Sequence, residues 1–290
     1  MRELSTEILE LIRFTSTDLP ADVETALKKA RRDEEQGSAA SAALDSILEN
    51  ITLARRESTP ICQDTGTPLF FVSYPLGFRT QDLRQQIRKA IAEATRLSYL
   101  RPNAVDAVNG NNTGNNLGDD FFPTIHFEEI DGDTLTIDLM LKGGGCENVG
   151  AQYSLPNDAL QAGRDMDGVR KTVLDAVFQA QGIGCAPGYL GVAIGGDRSS
   201  GYLLSKKALL RKTSQPNEDP ELGELEARIT VEANQLGIGP MGFGGKSTIL
   251  ETYILKTQRL PASFFVTISY MCWAFRHRRV LINASQVVYE

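Results

Sequence analysis

A chain of 290 residues with 41% hydrophobic and 23% charged content is long enough to bury a full core, as one large domain or two unequal ones. A net charge of −7 and only two histidines, His126 and His277, argue against nucleic-acid binding and against a histidine-rich metal site. An anionic substrate must be met by local basic groups, because the field of the whole molecule repels it.

The opening, MRELSTEILELIRF, has charges at its second and third positions and continues at helical period. It lacks a basic start, an unbroken apolar stretch and a small-residue cleavage site, so no secretory signal is expected. No apolar run is long enough to span a bilayer, and no membrane association is expected. Cys62, Cys146, Cys185 and Cys272 lie far apart with no CxxC pair. Disulfides are therefore not expected, and the composition reads as that of a cytoplasmic protein in a reducing compartment.

Residues 3–14, 21–36 and 39–57 carry apolar side chains at three- and four-residue steps and predict three helices, with starts at Asp22 after Pro20 and at Ser38 after Gly37. After the loop STPICQDTGTP comes a strand over 69–76, then an amphipathic helix over 81–100. Residues 101–120 are so rich in Asn, Gly and Asp that they form a loop. Alternating runs over 121–130 and 134–142, separated by Asp131-Gly132-Asp133, predict a hairpin that ends at Gly143-Gly144-Gly145-Cys146. A helix over 167–181, a buried strand over 189–196 and a helix over 202–210 follow. Next come a helix closed by glycine near residue 237, the glycine loop GPMGFGGKS, and strands over 248–255 and 263–271. Helices in a block and strands mostly in hairpins indicate an α+β fold, a mixed or antiparallel sheet covered by helices with an N-terminal helical layer. Residues 1–57 are expected to form the helical segment, packed on a main domain over 58–290.

Cys62 sits in a Pro-bounded turn, Cys185 follows Gly-Ile-Gly and precedes Ala-Pro, and Cys272 ends an apolar strand. The ordinary role of a single cysteine is that of a small buried hydrophobe. Thiolates from separate loops that converge suit an iron–sulfur cluster or zinc, whereas catalysis by one cysteine needs a nearby histidine.

The words Cys62-Gln63-Asp64-Thr65-Gly66-Thr67, Arg101-Pro102-Asn103, Asn112-Thr113-Gly114, Lys142-Gly143-Gly144-Gly145-Cys146-Glu147-Asn148, Gly195-Gly196-Asp197 and Gly244-Gly245-Lys246 occur in that order. Together, from about Ile61 to Arg279, they resemble the class I fumarate hydratase and L(+)-tartrate dehydratase family, in its alpha subunit or N-terminal catalytic domain. The resemblance implies a hydro-lyase that reversibly hydrates a small dicarboxylic acid such as fumarate. It implies that Cys62, Cys185 and Cys272 hold a [4Fe-4S] cluster with one iron open to substrate. It further implies catalytic roles for Asp64 and Gln63, a carboxylate-pairing role for Arg101, and a carboxylate-binding loop at Gly143, Gly144 and Gly145. A beta subunit would complete the site, in a heterotetramer built on an alpha homodimer, and this chain alone would be poorly active.

Cys146 stands at the family's GGGS position and is left out of the ligand set. Without the resemblance, Asp64 reads as an Asx-turn residue and Arg101 as a surface ion-pair residue. GPMGFGGKS fails the Walker spacing, which excludes nucleotide binding and leaves a structural turn or a loop lining the dicarboxylate site. The segment Arg259-Leu260-Pro261-Ala262-Ser263 has leucine where the family commonly carries a histidine, which bears on the substrate. His277 and the basic run from Arg276 to Arg279 are expected at the surface, facing an acidic partner. Alternatives to the fumarate reading are a tartrate dehydratase or related diacid hydro-lyase, a non-catalytic iron–sulfur sensor, and a zinc site on the same thiolates.

Overall fold

The computed structural model describes residues 3–290; Met1 and Arg2, the first residues of the expected helical segment, lie outside the described residues. In chain order the first half runs α1 (Ser5–Thr17), α2 (Ala21–Asp33), α3 (Ala39–Glu57), β1 (Thr67–Pro75), α4 (Thr80–Arg96), β2 (Thr124–Ile130), β3 (Leu135–Lys142) and α5 (Gly144–Asn148). The second half runs β4 (Ala151–Ser154), α6 (Met166–Ala180), β5 (Gly188–Ile194), α7 (Arg198–Ala208), α8 (Pro220–Gln235), β6 (Ile249–Lys256), β7 (Phe265–Met271), β8 (His277–Ile282) and β9 (Val287–Tyr289). Helices and mixed sheets together make the fold α+β. Two units are interleaved in the sequence: Met1–Pro20, Glu49–Gly144 and Arg276–Glu290 form the first, Ala21–Leu48 and Gly145–Phe275 the second. The division does not coincide with the expected boundary near residue 57, since the residues of α3 are shared between the units.

In the first unit, Ile8, Leu11 and Ile12 fall on one face of α1 and are buried. They meet Leu83, Ile87 and Ile91 of α4 and the apolar side chains of a five-stranded sheet in one core. The strand order is β2-β1-β3-β8-β9, and only the β1–β2 pair is parallel. This corrects the hairpin expected across Asp131-Gly132-Asp133. Phe70 of β1 faces Ile125 of β2 on one side and Leu139 of β3 on the other, so β1 lies between the two runs. The reason is burial: Leu69 to Val72 are all buried and want neighbours on both edges, whereas β2 is partly exposed throughout and suits an edge.

The basic run is a second correction. The run is not uniformly at the surface: His277 to Arg279 lie in β8, where Arg279 sits in register with Asp138 and donates to it at 2.7 Å. Arg278 donates to Asp18 at 3.1 Å, Arg276 is buried, and His277 is partly buried.

In the second unit the sheet order is β4-β7-β5-β6, with β5–β6 parallel and the other pairs antiparallel. Every residue of β5 is buried. Leu190, Val192 and Ile194 share a core with Val169, Val173 and Val177 of α6 and Ile229 of α8. The alternate face of β5 carries Gly191, against α7. A Cβ there would lie 2.1 Å from the Ser205 carbonyl oxygen, so only glycine lets α7 sit this close. Asp197 caps α7: its carboxylate accepts the N–H groups of Ser199 and Ser200 at 2.8 and 3.0 Å, and the Ser200 hydroxyl accepts the Asp197 N–H at 2.9 Å.

Gly191→Ala is expected to destabilise the protein by about 1–3 kcal/mol through overpacking. Gly223→Ala in α8, where the added Cβ meets only the Asn217 Cβ at 3.7 Å, should instead be neutral or stabilising. Chemical denaturation of the two variants checks both signs. The hydrogen bonds from Ser200 and Ser199 hold the Asp197 carboxyl well below the ordinary range. A lowered folded-state pKa contributes stability above the unfolded value of about 3.9, and that contribution is lost as pH falls through the folded value. Asp197→Asn should therefore lower the thermal midpoint at pH 7, with the difference from wild type shrinking below about pH 4.

Candidate functional site

The loop after α3 is pinned before it reaches its cysteine. Ile61 is buried, donates its N–H to the Ser16 carbonyl at 3.0 Å, and accepts from Asn50 Nδ2 at 2.9 Å. Cys62 follows, partly buried, and Gln63 is exposed. Asp64 is the joint of the site. Its Oδ1 accepts the Gly66 N–H at 3.0 Å, which is the expected Asx turn, and its Oδ2 accepts the Gly144 N–H at 2.8 Å. Gly66 has φ +80°, and a Cβ on it would lie 2.7 Å from the Lys142 carbonyl carbon, so the turn packs directly on the end of β3.

The buried Thr65 hydroxyl accepts from the Arg101 N–H and from Asn103 Nδ2, both at 3.1 Å. Arg101 is itself exposed. The polar segment that follows is held by its own side chains: Asn112 donates to the Pro102 carbonyl at 2.6 Å and accepts the Gly114 N–H at 2.8 Å. A recess of about 400 Å³ opens among Gln63, Asp64, Gly66, Thr67, Asn103, Phe122 and Gly144. Of the expected site residues it brings together Gln63, Asp64 and Gly144, with Gly143 beside Asp64 and Arg101 two residues from Asn103. Gly144 and Gly145 begin the short helix α5.

The second unit holds the other three cysteines. Cys185 has φ +55° and accepts the Trp273 N–H on its carbonyl at 3.3 Å, which ties the segment after Cys272 to it. The neighbouring glycines make room for Tyr270: a Cβ on Gly184 or Gly188 would lie 2.7 or 2.3 Å from its ring. Burial first, and then negative charge at Cys272, Cys146 and Cys185, push the Tyr270 hydroxyl well above its ordinary value. Cys146 is more than the end of a glycine turn, since its Sγ accepts the Cys272 N–H at 3.3 Å. The position of Tyr270, two residues before Cys272 and near the end of β7, is the signal that could have pointed to this group. None of the four cysteines is joined in a disulfide, and among the described residues no three His, Cys, Asp or Glu side chains are grouped to hold a single metal ion.

The remaining words of the motif series are structural here. Gly195-Gly196-Asp197 leads into the cap of α7. In Gly244-Gly245-Lys246, the N–H groups of Lys246 and Ser247 donate to the buried Glu34 carboxylate at 2.9 and 2.7 Å. Those amides, which a phosphate would need, are already taken. Leu260 lies exposed on the loop before β7.

Residues 5–281 match the family described as Fumarate hydratase (Fumerase). The chain is 48% identical over 286 residues to a putative fumarate hydratase class I of Geobacillus stearothermophilus, covering 98% of this chain and 55% of that one. It therefore spans about half the length of that relative. It is 33% identical over 289 residues to a putative L(+)-tartrate dehydratase subunit alpha of Methanocaldococcus jannaschii, covering 97% and 99%. It is 31% identical over 286 residues to the L(+)-tartrate dehydratase subunit alpha of Escherichia coli K12, covering 98% and 92%. A match that runs through both units and takes in the Cys62 loop, the glycine run and the strand before Cys272 means that this chain belongs to the fumarate hydratase (fumerase) family.

Proposed function

We propose that the chain is the alpha part of an iron–sulfur hydro-lyase that adds water to, or removes it from, a small dicarboxylic acid of the fumarate/malate kind. The observation that carries the reading is the Asp64 carboxylate, fixed by two backbone amides at a recess shared with Gln63, Asn103 and Gly144. A second reading, dehydration of L(+)-tartrate, draws on the two relatives that this chain covers almost end to end, both named as alpha subunits of that enzyme.

Cys62, Cys185 and Cys272 are proposed to hold a [4Fe-4S] cluster. The donor set fits it: soft thiols on turns and a strand end, none committed to a disulfide, with both histidines placed in strands of the first unit. A cube of four irons spreads its thiolates farther apart than one ion does, so a close three-residue group is not what such a cluster needs. When bound, the cluster supplies a Lewis acid at an iron left without a protein ligand, which favours departure of the substrate hydroxyl.

The chain's own residues do the rest. Asp64 uses two lone pairs on Gly66 and Gly144 and keeps others for a proton of the substrate, directly or through a second group. Gln63, exposed at the recess, offers an amide that donates and accepts. The exposed guanidinium of Arg101 presents a planar fork suited to a carboxylate. Gly143, Gly144 and Gly145 leave the backbone open to an approaching anion. A beta subunit is proposed as the partner that supplies further substrate contacts, since two relatives are named as alpha subunits and the Geobacillus relative extends well beyond this chain.

Anaerobic reconstitution should give a brown protein with about four irons per chain. Cys62→Ala, Cys185→Ala and Cys272→Ala should each abolish the colour, while Cys146→Ala should keep it; iron analysis and absorbance decide. With the partner present, wild type should hydrate fumarate, and Asp64→Asn should lower kcat by about 10²–10⁴-fold with the cluster retained. A loaded complex that turns over neither fumarate, malate nor tartrate would refute the hydro-lyase reading.

A further inference from the structure

Four large apolar side chains of the second unit are exposed on segments that touch one another. Phe178 lies in the last turn of α6, and Ile183, 68% exposed, in the tight turn over 181–184 that follows. Met241 and Phe243, the latter 65% exposed, belong to the turn after α8. The two turns meet backbone to backbone: a Cβ on Gly182 would lie 2.8 Å from Gly242 Cα and 2.9 Å from the Met241 carbonyl oxygen. The Met241 N–H donates to the Ala186 carbonyl at 2.7 Å, which ties the second turn to the residue after Cys185.

This patch is not a by-product of loose loops. Met241 holds φ +54° and Gln181 φ +45°, a region that residues other than glycine seldom enter. A glycine at 241 would remove both the strain and the exposed side chain, yet a methionine stands there. The patch is not softened by charge either: no Asp, Glu, Lys or Arg occurs from 176 to 196 or from 233 to 245. Aromatic side chains and methionine without charge are what the core of a protein interface is made of, and soluble surfaces rarely leave such residues together.

Cys185 narrows the choice of occupant. It ends the first turn with φ +55° and is partly exposed, so whatever covers the patch also borders this thiol. A second copy packed by two-fold symmetry sets the patch against itself and leaves Cys185 between two identical surfaces, with nothing new to meet a substrate. A different chain that brings substrate contacts of its own covers the patch and adds to the site. Relatives named as alpha subunits, and the length by which the Geobacillus relative exceeds this chain, point to such a chain. On the reading that a beta partner completes the site, we propose that Phe178, Ile183, Met241 and Phe243 form the surface on which that partner docks, with Ile183 and Phe243 as its anchors.

The test titrates the full-length chain, reconstituted anaerobically, with a separately purified chain from the same cells that resembles the part of the Geobacillus relative not matched here. Wild type, Ile183→Glu, Phe243→Ser and Val231→Glu are compared; Val231, on α8, is an apolar side chain of similar exposure at 58%. The two patch variants are expected to bind the partner at least about tenfold more weakly than wild type. Val231→Glu should bind as wild type does, and all four thermal midpoints should agree in the absence of partner. Patch variants that bind like wild type would overturn the proposal. So would an equal loss in Val231→Glu, which marks a general effect of added charge. A lowered thermal midpoint of Ile183→Glu alone overturns it too, because the chain then covers the patch itself. An Ile183→Glu substitution that splits a dimer of this chain in sedimentation, with the partner's affinity unchanged, assigns the patch to a second copy and likewise sinks the proposal. A wild-type chain that does not bind the partner at all removes the beta-partner reading and the proposal with it, and that failure is visible without any variant.

Discussion

The Asp64 carboxylate joins two segments eighty residues apart, the Cys62 loop and the glycine run at the end of β3, by accepting one backbone N–H from each side. Both segments line the recess, through Gln63, Asp64, Gly66 and Thr67 on one and Gly144 on the other. A carboxylate serves better than a neutral side chain because charge-assisted hydrogen bonds are about twice as strong as neutral ones. The glycines on either side are the complement of the same constraint. Gly66 lets the turn rest against the backbone of Lys142, and Gly143 leaves the Asp64 oxygen room to reach the amide of Gly144.

The protein treats its buried charges in two ways. Glu34 and Glu226 are satisfied completely by groups nearby: Glu34 by the amides of Lys246 and Ser247, Glu226 by Arg211, Asn217 and the amide of Ile254. These carboxylates replace missing backbone partners in a glycine loop and at a strand, which is a structural task. Arg276 has a charge of the opposite sign and lacks such partners on two of its nitrogens.

The cysteines divide by surroundings as well. Cys146, Cys185 and Cys272 share the electrostatic neighbourhood of Tyr270 in the second unit, with Cys146 bonded to the Cys272 amide. Cys62 stands on the turn of the first unit that Asp64 organises. The glycines flanking Cys185 owe their place to the Tyr270 ring, so a sequence feature that looks like loop flexibility is a packing requirement.

Local features were legible from the sequence. The helical periods of α1 to α4 and α6, the cap at Ser38, which accepts the Ser41 N–H, and the Asx turn at Asp64 are each encoded within a few residues. So was the family, because its motifs are short words in a set order. The sheet order was not legible, nor were the fate of the basic run, strands β4, β8 and β9, and the role of Cys146. The hairpin expected between β2 and β3 failed because their common neighbour, β1, lies more than forty residues earlier in the chain and is more completely buried than either edge allows. Arg278 and Arg279 look like solvent-facing charge until Asp18 and Asp138, 260 and 141 residues away, come beside them. Backbone preference and turn chemistry act between neighbours in the chain and determined the elements. Strand pairing, charge pairing and the gathering of thiols depend on residues that only folding brings together, and the tertiary structure alone decided them.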